Sequence, residues 1–351
     1  MTTKIIKKKS NYFRLDSGYK VAVKNKKYLL DILNPTSKNT KYYESPPEGK
    51  ISGIQIGRII LQVHQIINLV NKLGYSFKDK TFLDIGCGNG MISRLISSLT
   101  QVKYSYGIDP FLDGEHQTSW PKHNQYKVFL KILNILKDKK YLKFANYYKL
   151  LKYENYSLKP DNQKIVHKKK YHYEFKQLSA LNLHKLKTKV DIAYLKSIEH
   201  FSDWDKLFIK LKSSLNKKGI VIFKHRSFFS YLGAHRYSCI GIPWGHVLLN
   251  EKEYKRFVGK FHNNRKNQMI EFFYNGLNYP RSTVGDLVKF ASKNDFKLKL
   301  IISEPPHYNE KSSKFIKDIK NFWEIIKKNY PKVSNEEVMS GMYHIVFEKL
   351  K

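Results

Sequence analysis

The stretch Thr81-Phe82-Leu83-Asp84-Ile85-Gly86-Cys87-Gly88-Asn89-Gly90 limits the fold of this 351-residue chain more than any other. Thr81 to Ile85 reads as a buried strand and Gly86 to Gly90 as a tight turn, while Ile92, Leu95, Ile96 and Leu99 form the inner face of the helix that follows. A glycine turn between a strand and a helix is the context of a nucleotide-like ligand, because glycine lets the backbone pass close beneath it and take positive φ where a Cβ would clash. The spacing is G-x-G-x-G. A dinucleotide fingerprint would need glycine at position 91, which is Met91. A second strand, Tyr104 to Ile108, ends at Asp109-Pro110. Asp84, ahead of the turn, is placed to accept from a cationic amino group, and Asp109 to bind both hydroxyls of a ribose.

Strands and helices alternate around this unit. Ile56, Ile59, Ile60, Val63, Ile66, Ile67 and Val70 predict a helix that Gly74 would terminate. Strands are expected at Tyr173 to Leu178, Val190 to Leu195 and Ile220 to Phe223. A helix with Trp204, Leu207, Phe208, Leu211 and Leu215 inward is expected between the last two, with Ser202 and Asp205 as its capping pair. Ser282 or Thr283 would cap a further helix carrying Val284, Leu287, Val288 and Ala291, and Phe296 to Ile302 and Met342 to Phe347 read as closing strands. This order predicts a mainly parallel sheet with helices on both faces and ligands at the strands' carboxyl edge. The expected organisation is an N-terminal extension at 1–52 and one domain at 53–110 and 173–351, with acceptor-binding loops at 225–280. A helical lid would be inserted at 111–172. From Lys122 to Lys176 that segment carries 15 lysines against Asp138, Glu154, Asp161 and Glu174.

Phe82 to Gly90 matches throughout the first motif of the class I S-adenosylmethionine-dependent methyltransferases, hh(D/E)hGxGxG, a family whose second strand also ends in an acidic residue. Ile198-Glu199-His200-Phe201, the helix from Asp203 and the turn Lys217-Lys218-Gly219-Ile220 resemble the family's L-E-H-h segment, helix and K-P-G-G-like turn, in the same order. The resemblance implies a Rossmann-like fold with a seven-stranded sheet and S-adenosyl-L-methionine as cofactor. It places the cofactor at Asp84, Gly86, Cys87, Gly88, Gly90 and Asp109, with Ala180, after the third strand, at the adenine-contacting position.

Methyl transfer from a sulfonium is an in-line displacement, and a hydroxyl acceptor needs a general base. His225, directly after the strand ending at Phe223, and His200, beyond the strand ending at Leu195, are candidates. So is His235, in the loop stretch Tyr231-Leu232-Gly233-Ala234-His235-Arg236-Tyr237. This stretch and Gly241-Ile242-Pro243-Trp244-Gly245-His246-Val247 mix imidazole with aromatic rings, which suits a small or saccharide-like hydroxyl acceptor. Equally, Trp244 would fill core space and the histidines would serve local backbone groups. His225, His235 and His246 are spaced unlike a helical ligand pair, and no metal is expected.

Hydrophobic residues at 41% and aromatics at 14% exclude a disordered polymer, and no uncharged apolar run approaches the ~20 residues of a bilayer span. The net charge of +36 points towards anionic partners, yet only eight of the 65 basic residues are arginine, so a solvated basic surface accounts for most of it. Tyr141, Tyr147, Tyr148, Tyr153 and Tyr156 among the inserted lysines keep RNA open as an alternative acceptor. A cofactor-binding protein without transfer activity is the third reading. Two cysteines, Cys87 and Cys239, make no disulfide framework, and no apolar segment follows the lysines of the first ten residues. A cytoplasmic protein is therefore expected.

Overall fold

Alternating apolar side chains on parallel strands must be covered on both faces, and two layers of helices do so here. The computed structural model describes residues 12–16, 18, 20–22, 53–88, 90–110, 173–196, 198–240, 242–262, 265–306, 314, 316–317 and 319–351. The lid expected at 111–172 and most of the extension at 1–52 lie outside the described residues.

The elements run, in chain order, β1 (Tyr12–Arg14), β2 (Lys20–Ala22), α1 (Gly53–Lys72), β3 (Thr81–Ile85), α2 (Met91–Leu99), β4 (Tyr104–Asp109) and β5 (Tyr173–Gln177). Then follow β6 (Val190–Lys196), α3 (Trp204–Ser214), β7 (Leu215–Arg226), α4 (Glu251–Phe261), α5 (Lys266–Asn275), α6 (Val284–Lys293), β8 (Phe296–Ser303), α7 (Phe322–Asn329) and β9 (Met342–Lys349). The large sheet has seven strands in the order β5-β4-β3-β6-β7-β9-β8. The pairs from β5 to β7 are parallel, and β9 runs antiparallel to both neighbours. Strand order reverses between β3 and β6, which opens a crevice at their carboxyl ends. The mainly parallel Rossmann-like sheet expected from the sequence is the fold observed.

Phe82, Ile192, Ile220, Ile222 and Val346 face one way and pack on Ile60, Val63, Ile66 and Val70 of α1 and Leu95 and Ile96 of α2. Leu83, Ile85, Ala193, Leu195, Val221, Phe223 and Phe347 face the other way, onto Trp204, Leu207, Phe208 and Leu211 of α3 and Leu287 and Ala291 of α6. Gly74 terminates α1 as expected: at φ 76° it donates to Asn71, while Tyr75 donates to Val70. A third core joins Trp244, Tyr254, Phe257, Met269, Phe273 and Phe322 to Phe13 from the β1–β2 hairpin.

Three local expectations are corrected. The cap of α3 is Asp203, which accepts from the Lys206 amide at 2.8 Å, because the helix begins a residue later than a Ser202 cap requires. Strand β7 continues to Arg226 because β9 pairs with it as far as Arg226 and Met342, so His225 lies within the strand rather than after it. The stretch 225–280, read as loops, holds α4 and α5, and α4 opens with a capping box between Asn250 and Glu253.

Phe208 meets the rings of Phe223, Phe296 and Phe347 at 5.4 to 5.7 Å. Phe208→Ala is expected to cost about 3–5 kcal/mol in urea denaturation, the range for truncating a fully buried aromatic; a loss under about 1 kcal/mol would contradict this packing.

Candidate functional site: the glycine turn and the carboxyl edge

The turn after β3 owes its shape to glycine. Gly86, Gly88 and Gly90 have φ of 70°, 54° and 68°, and a Cβ at Gly86 or Gly88 would meet nothing within 4 Å. The turn is therefore left-handed at alternate positions and open on its outer side. Its inner side is fastened to β4, where the Ile108 carbonyl accepts from the amides of Gly86 at 2.9 Å and Cys87 at 3.0 Å. The Asp109 carboxylate accepts from the Gly88 amide at 3.0 Å. This bond turns the carboxylate towards the turn. Gly90 leads into α2 without a side-chain cap.

Asp84 is buried beneath the turn, where Ser93 Oγ donates to it at 3.1 Å. Burial raises its carboxyl to about 7, against the lowering effects of Ser93 and the Lys196 charge. Cys87 is half-buried and its thiol donates to the Gly88 carbonyl; burial, with Asp84 and Asp109 nearby, pushes it far above the reactive range. Ala180 is buried just past β5, and the Leu178 amide donates to the Asp109 carbonyl at 2.9 Å, which sets this corner beside the acidic rim.

One supporting group was not read from the sequence. The Tyr173 hydroxyl sits 1.8 Å from where a Gly90 Cβ would project and 2.9 Å from that of Gly107. The Arg94 guanidinium lies 4.6 Å from the centre of the same ring. Gly107 thus admits Tyr173 beneath the turn, and a lone glycine within a strand was the available signal.

The three candidate histidines separate. His225 is 1% exposed, faces Trp204 edge to face at 5.5 Å, and has Nδ1 3.6 Å from Glu199 Oε2. That is an ion-pair separation and too long for a hydrogen bond; neither ring nitrogen has a hydrogen-bond partner. Burial alone would raise Glu199, but the neighbouring His225 outweighs it and holds the carboxyl below its usual range. His200 is half-buried and its Nδ1 lies 2.6 Å from the Gly276 carbonyl. The His235 ring stands 5.7 Å from His200, and Phe272 closes the group at 5.3 and 6.1 Å. His200 and His235 therefore share one aromatic-walled corner, and His225 lies behind it. His246 is buried and bridges the carbonyls of Phe228 and Ser230, while Trp244 is core and donates to the Val338 carbonyl.

An open glycine cradle with one carboxylate at its rim and another beneath it fits an adenosyl amino acid, whose amine and ribose need acceptors and whose bulk needs the space that absent Cβ atoms leave. Residues 60–256 match the sequence profile of the methyltransferase domain family. The chain belongs to this family, as a class I methyltransferase with S-adenosylmethionine as its cofactor. A local likeness of 40% identity over 60 residues links it to protein arginine N-methyltransferase 1 of Chlamydomonas reinhardtii and spans 17% of either chain. Among solved structures it is similar to the cyclopropane synthase MmaA2 of Mycobacterium tuberculosis, with 14% identity over 93% of this chain and 94% of that one and a TM-score of 0.44. It is also similar to the magnesium protoporphyrin IX methyltransferase of Synechocystis PCC 6803, with 11% identity over 92% and 99% of the two chains and a TM-score of 0.43. Among the described residues no helix is long and apolar enough to cross a membrane.

A carboxyl-selective NMR titration should place Asp84 near 7 in the free protein, and Ser93→Ala should move it higher by removing a donor to the charged form. The folded value exceeds the unfolded one of 3.8, so this group favours folding less as pH rises from 4 to 7. Titration at an ordinary carboxylate value would contradict its burial.

Proposed function

We propose that the protein methylates a hydroxyl oxygen of a small or saccharide-like acceptor, with His200 as general base. The observation that carries this reading is the contact between His200 Nδ1 and the Gly276 carbonyl at 2.6 Å. A carbonyl only accepts, so the neutral ring keeps its proton on Nδ1 and presents the Nε2 lone pair. His235 and Phe272 wall the same corner and give a sugar-like molecule ring faces and an imidazole to lie against.

In this reading Gly86, Cys87, Gly88 and Gly90 cradle the cofactor, Asp84 accepts from its amine, Asp109 holds the ribose and Ala180 borders the adenine. The cofactor supplies an electrophilic methyl group on a sulfonium. With the cofactor bound, His200 would take the acceptor's hydroxyl proton on Nε2, and the cofactor would supply the methyl group to that oxygen with the electrons of its carbon–sulfur bond kept on sulfur. His225, enclosed with Glu199, acts at one remove by bracing the segment that carries His200. Two backbone ties from the far side support the same segment: Asn278 donates its amide to the Glu199 carbonyl at 2.5 Å and its side chain to that of Phe201 at 2.7 Å.

Transfer of labelled methyl from S-adenosylmethionine to a panel of polyols, saccharides, hydroxy acids and RNA tests the reading. Label is expected in a base-stable ether of a small hydroxyl compound. His200→Gln should lower transfer by about 10²- to 10⁴-fold while S-adenosylhomocysteine affinity stays unchanged. Label found only in RNA, or wild-type turnover by His200→Gln, would contradict it.

A further inference from the structure

The groups assigned so far leave unused a band of charged side chains beside the cofactor turn. Alternation along the strands puts Asp84 of β3, Tyr194 and Lys196 of β6, Lys224 and Arg226 of β7, and His344 of β9 on the α1–α2 face, all towards the carboxyl edge. Lys196 pairs in register with Lys224, and Lys224 with His344. The Lys224 ammonium donates to Gln65 Oε1 at 2.9 Å and lies 3.3 Å from Glu304 Oε1. The same Glu304 oxygen lies 2.7 Å from His344 Nε2, and Gln62 of α1 donates to the Tyr194 hydroxyl.

A buried ion pair of this kind stabilises a fold no better than well-packed apolar side chains do, and often less. Its place at the ligand edge calls for another use. Lys196, Lys224 and Arg226 share this face with Glu304 and Asp84, and the latter is assigned to the cofactor's amine. Burial keeps His344 neutral by lowering it, so it does not add to the cations. Lys196 and Lys224 sit side by side on neighbouring strands, the first exposed and the second buried. Arg226 is half-buried at the end of β7 and has no hydrogen-bond or ion-pair partner among the described residues, yet its charge is felt by both Lys224 and Glu199. Its planar fork suits a two-oxygen anion, with the lysines as point charges beside it.

We propose that Arg226, with Lys224 and Lys196, binds an oxyanion carried by the methyl acceptor, a carboxylate or a phosphate, and so selects acidic hydroxyl compounds over neutral ones. The inference rests on the methyl-transfer reading above and narrows its acceptor. Calorimetry of the full chain saturated with S-adenosylhomocysteine tests it, with inorganic phosphate and acetate as probes at constant ionic strength. At least one probe is expected to bind a saturable site, weakened about tenfold or more in Arg226→Gln and in Lys196→Gln, since a charge-assisted hydrogen bond is lost in each. Lys217→Gln, exposed at the opposite end of β7, should bind as wild type and controls for net charge. The tighter probe separates a phosphate from a carboxylate source. No saturable site, or equal affinity in wild type and Arg226→Gln, overturns the proposal. Failure of the unsubstituted chain to bind S-adenosylhomocysteine would instead sink the reading beneath it.

Discussion

The amides of Gly86, Cys87 and Gly88 end on acceptors supplied by β4, the first two on the Ile108 carbonyl and the third on the Asp109 carboxylate. This clamp ties the turn after β3 to the neighbouring strand β4 and orients the carboxylate with a backbone N–H. Because the bond is charge-assisted and partly buried, it is stronger than an exposed one. The rest of the site is built outward from it. Tyr173 fills the space beneath the turn, Asp84 lies buried under its first residue, and the corner after β5 hangs on the Asp109 carbonyl.

Alternation in the parallel strands sorts the chemistry onto two faces. Even-numbered positions of β3, β6 and β7 send Asp84, Lys196 and Lys224 to the α1–α2 side, while His225 goes with Phe223 to the α3–α6 side. One residue of register thus separates a polar floor near the turn from an enclosed carboxylate–imidazole pair. His200 escapes this sorting because it follows β6 in a single helical turn, where the Gly276 carbonyl rather than the sheet sets its orientation.

The parallel sheet, the glycine turn and Asp109 were legible because each depends on short-range signals: a five-residue apolar strand, glycines where φ is positive, and an acid at a strand end. The third core was not legible. Tyr254, Phe257, Met269 and Phe273 pack against Phe13 and Phe322, partners that no local periodicity announces, and the histidines and glycines before them drew the whole stretch into a loop reading. The Asn250–Glu253 capping box was the local clue to α4. His225 stands among the candidate bases because the local apolar run ends its strand at Phe223. Pairing with β9, a strand more than 100 residues further on, carries β7 past it and encloses the ring. Tyr173 stayed hidden for a similar reason, since its role depends on Gly90 and Gly107, which only the folded sheet brings to it.

Calorimetric binding of S-adenosylhomocysteine to the wild-type chain and to Asp109→Ala tests the central claim most directly. The account expects one saturable site per chain, weakened about tenfold or more in the variant by loss of a charged acceptor. Equal affinity in the two proteins would contradict it.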